Sequence, residues 1–336
     1  MDHVSPSVSI LLPFYNAEHT LPEAVNSLLG QTFTDFELLL INNCSSDGSE
    51  KMAAALATKD ARIRLLSEEE QGITYALNTG LKQAKGKYIA RMDADDISYP
   101  DRLALQFHYL EAHPQTDVLA CQVDFSGPAS SEGIRAYIDW NNRLLSYEQM
   151  YLNRFVDAPL IHPSVMFRKT LIKNFGGYRQ GDFPEDFELW LRWMEAGVHF
   201  AKYPQPLLCW KDHPQRLTRQ DERYSQEAFY RIKSHYLARW LRRHNPFHPE
   251  IVVWGAGRKS RQRLQWLQAA GIQIRSYIDI NEKRTSTRSC IHFEEIAPPG
   301  AYFILSNVAK RGRGEDIRQY LMNKGYTEGV NFLMMA

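Results

Sequence analysis

Cysteine is scarce in this sequence. Cys44, Cys121, Cys209 and Cys290 are the four cysteines in 336 residues, and no two of them form a C-x-x-C pair. That spacing argues against a disulfide framework or a structural zinc site and fits a reducing compartment. Long apolar stretches are also missing, since no run reaches the roughly 18 residues expected of a membrane-spanning helix. The opening MDHVSPSVSILLPFYN has no basic segment ahead of a long apolar core. It reads as a strand rather than a secretory signal, and a cytoplasmic location is expected. Neither sign of charge dominates: 40 Lys and Arg stand against 39 Asp and Glu, a formal net charge of +1. Binding of nucleic acid by the chain as a whole is therefore not expected. With 44% hydrophobic and 24% charged residues, disorder is excluded, and the length favours two domains.

What is present is alternation. Apolar runs at Ser7–Leu12, Phe36–Ile41, Ile63–Leu66 and Lys87–Met92 read as buried strands. Between them lie segments with helical spacing. One follows Thr20-Leu21-Pro22-Glu23, a capping-box pattern with proline in the first turn; one follows Ser46-Asp47-Gly48-Ser49; a third covers Ile73–Ala84. A helix over Asp101–His113 and a strand over Val118–Val123 follow. Four strand-helix alternations in about 90 residues predict an α/β fold, a mostly parallel sheet with helices on both faces.

In such sheets ligands bind beyond the carboxyl ends of the strands. Those ends carry Pro13-Phe14-Tyr15-Asn16, Asn42-Asn43-Cys44-Ser45-Ser46-Asp47, Glu69-Glu70-Gln71-Gly72 and Asp93-Ala94-Asp95-Asp96. Two carboxylates one residue apart after a buried strand can hold a hard divalent cation, Mg²⁺ or Mn²⁺, with a diphosphate completing the oxygen shell. On spacing alone, a solvated acidic turn with Asp96 as a helix cap fits equally well.

Several of these segments resemble family 2 glycosyltransferases in the right order over roughly residues 6 to 215. They are VSILLPFYNAEHTLPEAVNSLLGQT, FELLLINNCSSDGS, QGITYALNTGLKQAKGKYIARMDADDISYPDRL, IHPSVMFRK, FGGY and PEDFELWLRWMEAG. The resemblance implies an A-type (GT-A) fold and an inverting, metal-dependent transfer from a nucleotide-diphospho-sugar to a glycan or lipid-linked acceptor. It implies that Pro13, Phe14, Tyr15 and Asn16 contact the nucleoside, with packing in the core as the plainer role for the two aromatics. Where the family usually reads D-D-G-S-x-D, this chain has Asn42-Asn43-Cys44-Ser45-Ser46-Asp47. Asn43 would then meet the base through its amide, and the departure leaves UDP, dTDP and GDP open, with a UDP-sugar expected. Gly72, Arg91 and Ala94 join the donor-binding set, Arg91 either on the diphosphate or paired with an acid. Asp93 would lie by the ribose and metal, Asp95 would ligate the metal, and His213 in Trp210-Lys211-Asp212-His213 would complete that site or play a structural part. Asp186 of the PEDFE segment matches the family's base. It stands at a helix start, where an N-cap role would also account for it.

Beyond His244-Asn245-Pro246-Phe247-His248-Pro249 a second α/β pattern begins: strand IVVWGAG, helix Arg261–Ala270, strands IQIRSYIDI and AYFILSN, and helix Glu315–Lys324. The partition expected is residues 1–215, a basic helical linker 216–247, and a small Rossmann-like domain 248–336. Gly255-Ala256-Gly257 with Asp279 resembles the start of a dinucleotide fold, but Ser260 replaces the third glycine, and association of copies is the plainer expectation. Arg231, Lys233, Arg239, Arg242 and Arg243 beside Tyr230, Tyr236, Trp240 and Leu241 suggest a helix lying on an anionic membrane, or else a solvated connector. A nucleotidyltransferase would need a glycine-rich basic loop where PFYNAEH stands. A noncatalytic binder would have no need of Asp186. A processive synthase would need membrane spans and a Q-x-x-R-W stretch.

Overall fold

Strands covered by helices on both sides need no polar alternation, and the inner strands show none. Every residue of Val8–Phe14 (β1) and Phe36–Asn43 (β2) is buried. The computed structural model of the protein describes residues 5–281, 290–309 and 312–336, so Met1–Val4 of the first strand reading fall outside the described residues. Ile63–Glu68 (β3) and Tyr88–Arg91 (β4) complete a parallel half-sheet in which Ile10 lies between Leu38 and Ala90. Ile97–Ser98 (β5), Val118–Ser126 (β6), Met166–Arg168 (β7) and Phe200–Lys211 (β8) extend it to eight strands in the order β3-β2-β1-β4-β7-β6-β8-β5. β7 runs antiparallel to both β4 and β6, so the sheet is parallel on one side and mixed on the other.

The expected helices form at Leu21–Leu29, Ser49–Lys59, Ile73–Gln83 and Arg102–Ala112. The capping box does not form. Thr20 has helical backbone angles, φ −107° and ψ −34°, and makes no side-chain capping bond. An N-cap side chain reaches the first turn only from a non-helical backbone. Glu23 instead accepts a 2.7 Å bond from Lys211 Nζ.

The chain packs as two compact units. The first holds Met1–Tyr147, Leu160–Gly181 and Ala196–Gln220; the second holds Glu148–Pro159, Asp182–Glu195 and Asp221–Ala336. The division is interleaved along the sequence, where pattern alone suggested linear cuts. The second unit contains a parallel five-stranded sheet of Glu250–Trp254 (β9), Gln273–Asp279 (β10), Cys290–His292 (β11), Ile304–Ser306 (β12) and Phe332–Met334 (β13), in the order β11-β10-β9-β12-β13. β11 and β13, three residues each, are too short to announce themselves by period. The helix expected over 261–270 is two short ones, Arg258–Arg263 and Gln265–Ala269.

The basic segment is not a solvated connector. Helix Gln226–His244 buries Tyr230, Tyr236, Leu237, Trp240 and Leu241 against Phe187, Leu191, Val253, Phe303 and Leu333 in the core of the second unit. The aromatic face that a lipid surface would use is therefore inside the protein. On the outer face His235, Arg239, Arg242 and Arg243 line a cleft of about 410 Å³, where Arg239 pairs with Glu195 at 2.8 Å. Among the described residues no helix is long and apolar enough to cross a membrane, and all four cysteines are free thiols.

Candidate active site

Because β2, β1 and β4 are parallel neighbours, the segments that follow them emerge along one edge of the sheet. Phe14 pairs with Asn42 and Leu11 with Arg91. Behind the β4 end, fully buried Arg102 donates to the Arg91 carbonyl at 2.7 Å, and Gln106 donates to Ser164 O at 2.8 Å. The loop carrying Asp93, Ala94, Asp95 and Asp96 thus starts from a braced backbone.

Asp93, Asp95 and Asp96 each present an oxygen such that the three lie within 4.8 Å of one another. That hard, all-oxygen set suits Mg²⁺ or Mn²⁺. Arg216, whose side chain is 6% exposed, is forked among them: Nη2 lies 2.9 Å from Asp93 Oδ2, and Nη1 lies 3.5 Å from Asp95 Oδ2 and 3.1 Å from Asp96 Oδ1. Its guanidinium lies 3.8 Å from the ring centre of Trp210. Arg91, buried under the loop, pairs with Asp93. His213 Nε2 lies 2.7 Å from Asp95 Oδ2. Asp96 is not the solvated cap of the alternative reading. It is wholly buried and accepts from Lys211 N at 2.9 Å.

The charges follow from these contacts. Burial tends to raise the Asp93 carboxyl, but Arg91 and Arg216 outweigh it and hold the group low. Burial pushes Asp96 up to about 7, against the pull of Arg216 and with the like charges of Asp95 and Asp93 adding to the rise. The Asp95 contact raises His213. Burial, and then the neighbouring Arg91, push His162 far below its usual range, leaving a neutral ring whose Nε2 lies 2.7 Å from the Tyr178 hydroxyl.

The β1 end splits in character. Pro13 and Phe14 belong to the strand, and Phe14 is 3% exposed in the core, while Tyr15 is 50% exposed. Asn16 takes a left-handed φ of 49° and accepts a 2.8 Å bond from Ser46 N, tying the β1 and β2 loops together. Asn43 is buried, with its amide engaged: Nδ2 donates to Glu70 O at 2.8 Å and Oδ1 accepts from Gly72 N at 2.7 Å. The residue expected on the base thus holds the β3 loop. Gly72 has φ +143°, a conformation that L side chains rarely adopt, and a β-carbon there would come within 3.2 Å of the Tyr75 ring.

Asp186 lies in the second unit, at the start of helix Glu185–Glu195, half-buried, with Oδ1 accepting from Phe187 N at 2.7 Å. Its neighbour Glu185 is 2% exposed and accepts from the Tyr224 hydroxyl at 2.7 Å. Burial and these two acids push that hydroxyl well above its usual range. Glu188 is structural, bonded to Arg192 at 2.9 Å and Tyr236 at 2.6 Å. In the C-terminal sheet, Asp279 is bonded to Ala256 N at 3.1 Å and Asn281 N at 3.0 Å, so it fastens the glycine loop.

Sequence reasoning missed Arg216 and the buried role of Asp96. No spacing links Arg216 to residues more than a hundred positions earlier. The third acid of DADD was the sole signal for Asp96.

Residues 9–176 match the model of Glycosyl transferase family 2. The Bacillus subtilis protein EpsE, which carries a glycosyltransferase name, is 30% identical over 225 residues, covering 66% of this chain and 78% of its own. The amylovoran biosynthesis glycosyltransferase AmsE of Erwinia amylovora is 31% identical over 206 residues, covering 60% and 74%. Among solved structures, S. aureus TarS 1-349 in complex with UDP-GlcNAc superposes with a TM-score of 0.54 at 18% identity, over 71% of this chain and 72% of that one. The mannosyltransferase PcManGT from Pyrobaculum calidifontis, in complex with GDP-Man and Mn²⁺, gives 0.50 at 17% identity, over 80% and 70%. These likenesses show the fold.

Proposed function

The chain belongs to glycosyl transferase family 2 and is a glycosyltransferase, and from that membership we propose that it moves a sugar from a nucleotide diphosphate to a hydroxyl acceptor with inversion. The observation that carries the donor half is the triple carboxylate at the β4 end, its oxygens within 4.8 Å, with half-exposed Tyr15 following the neighbouring strand β1. Asp93 and Asp95 would hold a divalent cation, with His213 at its rim. That ion, when bound, neutralises charge on a departing diphosphate. Tyr15 offers a face on which a base can stack. Arg91 acts on the donor through Asp93, which it orients. Asn43 acts through the Glu70–Gly72 loop. Asp186 takes the proton from the acceptor hydroxyl as that oxygen attacks the anomeric carbon, a one-base displacement. TarS was solved with UDP-GlcNAc and PcManGT with GDP-Man, so both nucleotides are candidates, and the UDP-sugar remains our choice. One of the relatives supports a role in making polysaccharide, since AmsE is named for amylovoran biosynthesis.

The test is thermal stability with UDP, GDP, dTDP and CMP, each with and without Mn²⁺. A ligand that binds only the folded state raises the melting temperature. A shift that requires both metal and one nucleotide, and disappears in Asp95→Ala, is expected. Equal nucleotide shifts with and without metal in the unaltered protein would remove the metal role.

A further inference from the structure

We infer that Arg216 is the built-in counter-cation of the donor site: it occupies the carboxylate oxygens that a divalent ion would take, and so makes metal binding depend on the diphosphate arriving with it. This rests on the donor-site reading above and specifies how that site chooses its ligand.

Three observations lead there. First, the contacts are to the same three acids that could hold the ion. Arg216 nitrogens lie 2.9, 3.5 and 3.1 Å from one oxygen each of Asp93, Asp95 and Asp96. A cation bound at the about 2.1 Å typical of Mg²⁺ would need those lone pairs and would sit against the guanidinium. Second, the arginine is held from outside the acids. Its guanidinium lies over the Trp210 ring, 3.8 Å from the ring centre, and also donates to the Lys211 carbonyl. Its segment is pinned by Arg219, which bonds Asp212 Oδ1 at 2.8 Å, while Ser131 Oγ donates to Asp212 Oδ2 at 2.5 Å. Third, the acids already face cations without a metal. Three carboxylates face Arg216 and Arg91, with His213 on Asp95. Adding a divalent ion alone would leave an excess of positive charge in a partly buried site. A diphosphate brings the missing negative charge. It also gives the guanidinium a new partner, since phosphate oxygens match its planar fork.

The consequence is coupling. Metal alone must displace Arg216 with no compensation, whereas metal plus diphosphate exchanges one set of charge-assisted bonds for another. Coupling of this kind is reciprocal. It also guards the site against stray divalent ions.

Mn²⁺ affinity of the full chain can be read from the electron paramagnetic resonance of the free ion, with and without UDP and, in parallel, GDP. In the unaltered protein, Mn²⁺ should bind at least about tenfold more tightly with the accepted nucleotide than without it, within the usual range of coupling. Arg216→Gln should raise affinity for Mn²⁺ alone by about tenfold and shrink that ratio. Arg216→Lys keeps one charge but cannot fork across three carboxylates, and should fall between. If the Gln variant does not fold, the Lys variant carries the same expectation. Unchanged or weaker binding of Mn²⁺ alone in the variants would overturn the inference while leaving the metal role standing. Failure of the unaltered protein to bind Mn²⁺ with either nucleotide, or with dTDP, would overturn the donor-site reading, and this inference with it.

Discussion

Three carboxylates in four residues would repel one another on an open loop. Here Arg91 and Arg216 lie among them, so each acid has a cationic neighbour within a few ångströms. The same logic governs Glu37 on β2, away from the site. Burial tends to raise its carboxyl, but Ser9 Oγ at 2.6 Å, the Lys85 N–H and Arg64 at 2.6 Å outweigh burial and hold it below its ordinary value. A group lowered in the fold stabilises it above the unfolded pKa and loses that contribution as pH falls through the folded one. Glu37→Gln should therefore lower the melting temperature at neutral pH, and the gap to the unaltered protein should close below about pH 4.5. A gap that stays constant down to pH 3 would remove the ionic account. At Asp186 the expectation is different in kind. Asp186→Asn keeps an acceptor for Phe187 N and should fold normally, yet lose at least about a hundredfold in transfer rate, the usual scale for a general base. Nucleotide-induced stabilisation should be unaltered. Near-normal turnover would exclude Asp186 as the base.

At the level of elements, the parallel strands were legible because runs such as FELLLI leave no other way to bury every side chain. Boundaries moved by up to three residues, as hydrogen-bonded ends do. The loops were legible as places and not as contacts. Asn43 was expected at the base because an amide can read one; its partners Glu70 and Gly72 belong to a different strand end, which no local pattern discloses. The loop depends on its glycine. Gly72→Ala, forced into a region that glycine alone occupies comfortably, should cost about 1–3 kcal/mol in urea unfolding and weaken nucleotide binding as well. An alanine variant as stable as the parent would show that the loop relaxes freely. Helix Gln226–His244 shows the opposite error. Its many cations suggested a solvated rod, but Lys233 is itself buried, bonding Met335 O at 2.8 Å, and the aromatics between the arginines fill a core.

For the molecule as a whole, the interleaved units make a definite statement about shortening the chain. Phe155, Phe187, Leu191, Leu237 and Leu241 share one core with Ile251, Val253, Phe303 and Leu333. A chain ending at His248 should therefore expose apolar surface, and aggregate or melt at least several degrees lower. A soluble, fully stable shortened protein would show that this core is dispensable. The sequence by itself determined the fold class, the sheet edge that carries the candidate site and the acids that mark it. Alternation of apolar runs and the placement of polar residues at strand ends are properties of consecutive residues. Tertiary structure alone decided that Asp96 is buried, that Arg216 meets Asp93 across more than a hundred residues, and that Asn43 bonds the Glu70–Gly72 loop. Those outcomes depend on which distant side chains reach the same few ångströms, where charge and hydrogen-bond partners are chosen by packing and not by neighbours in the chain.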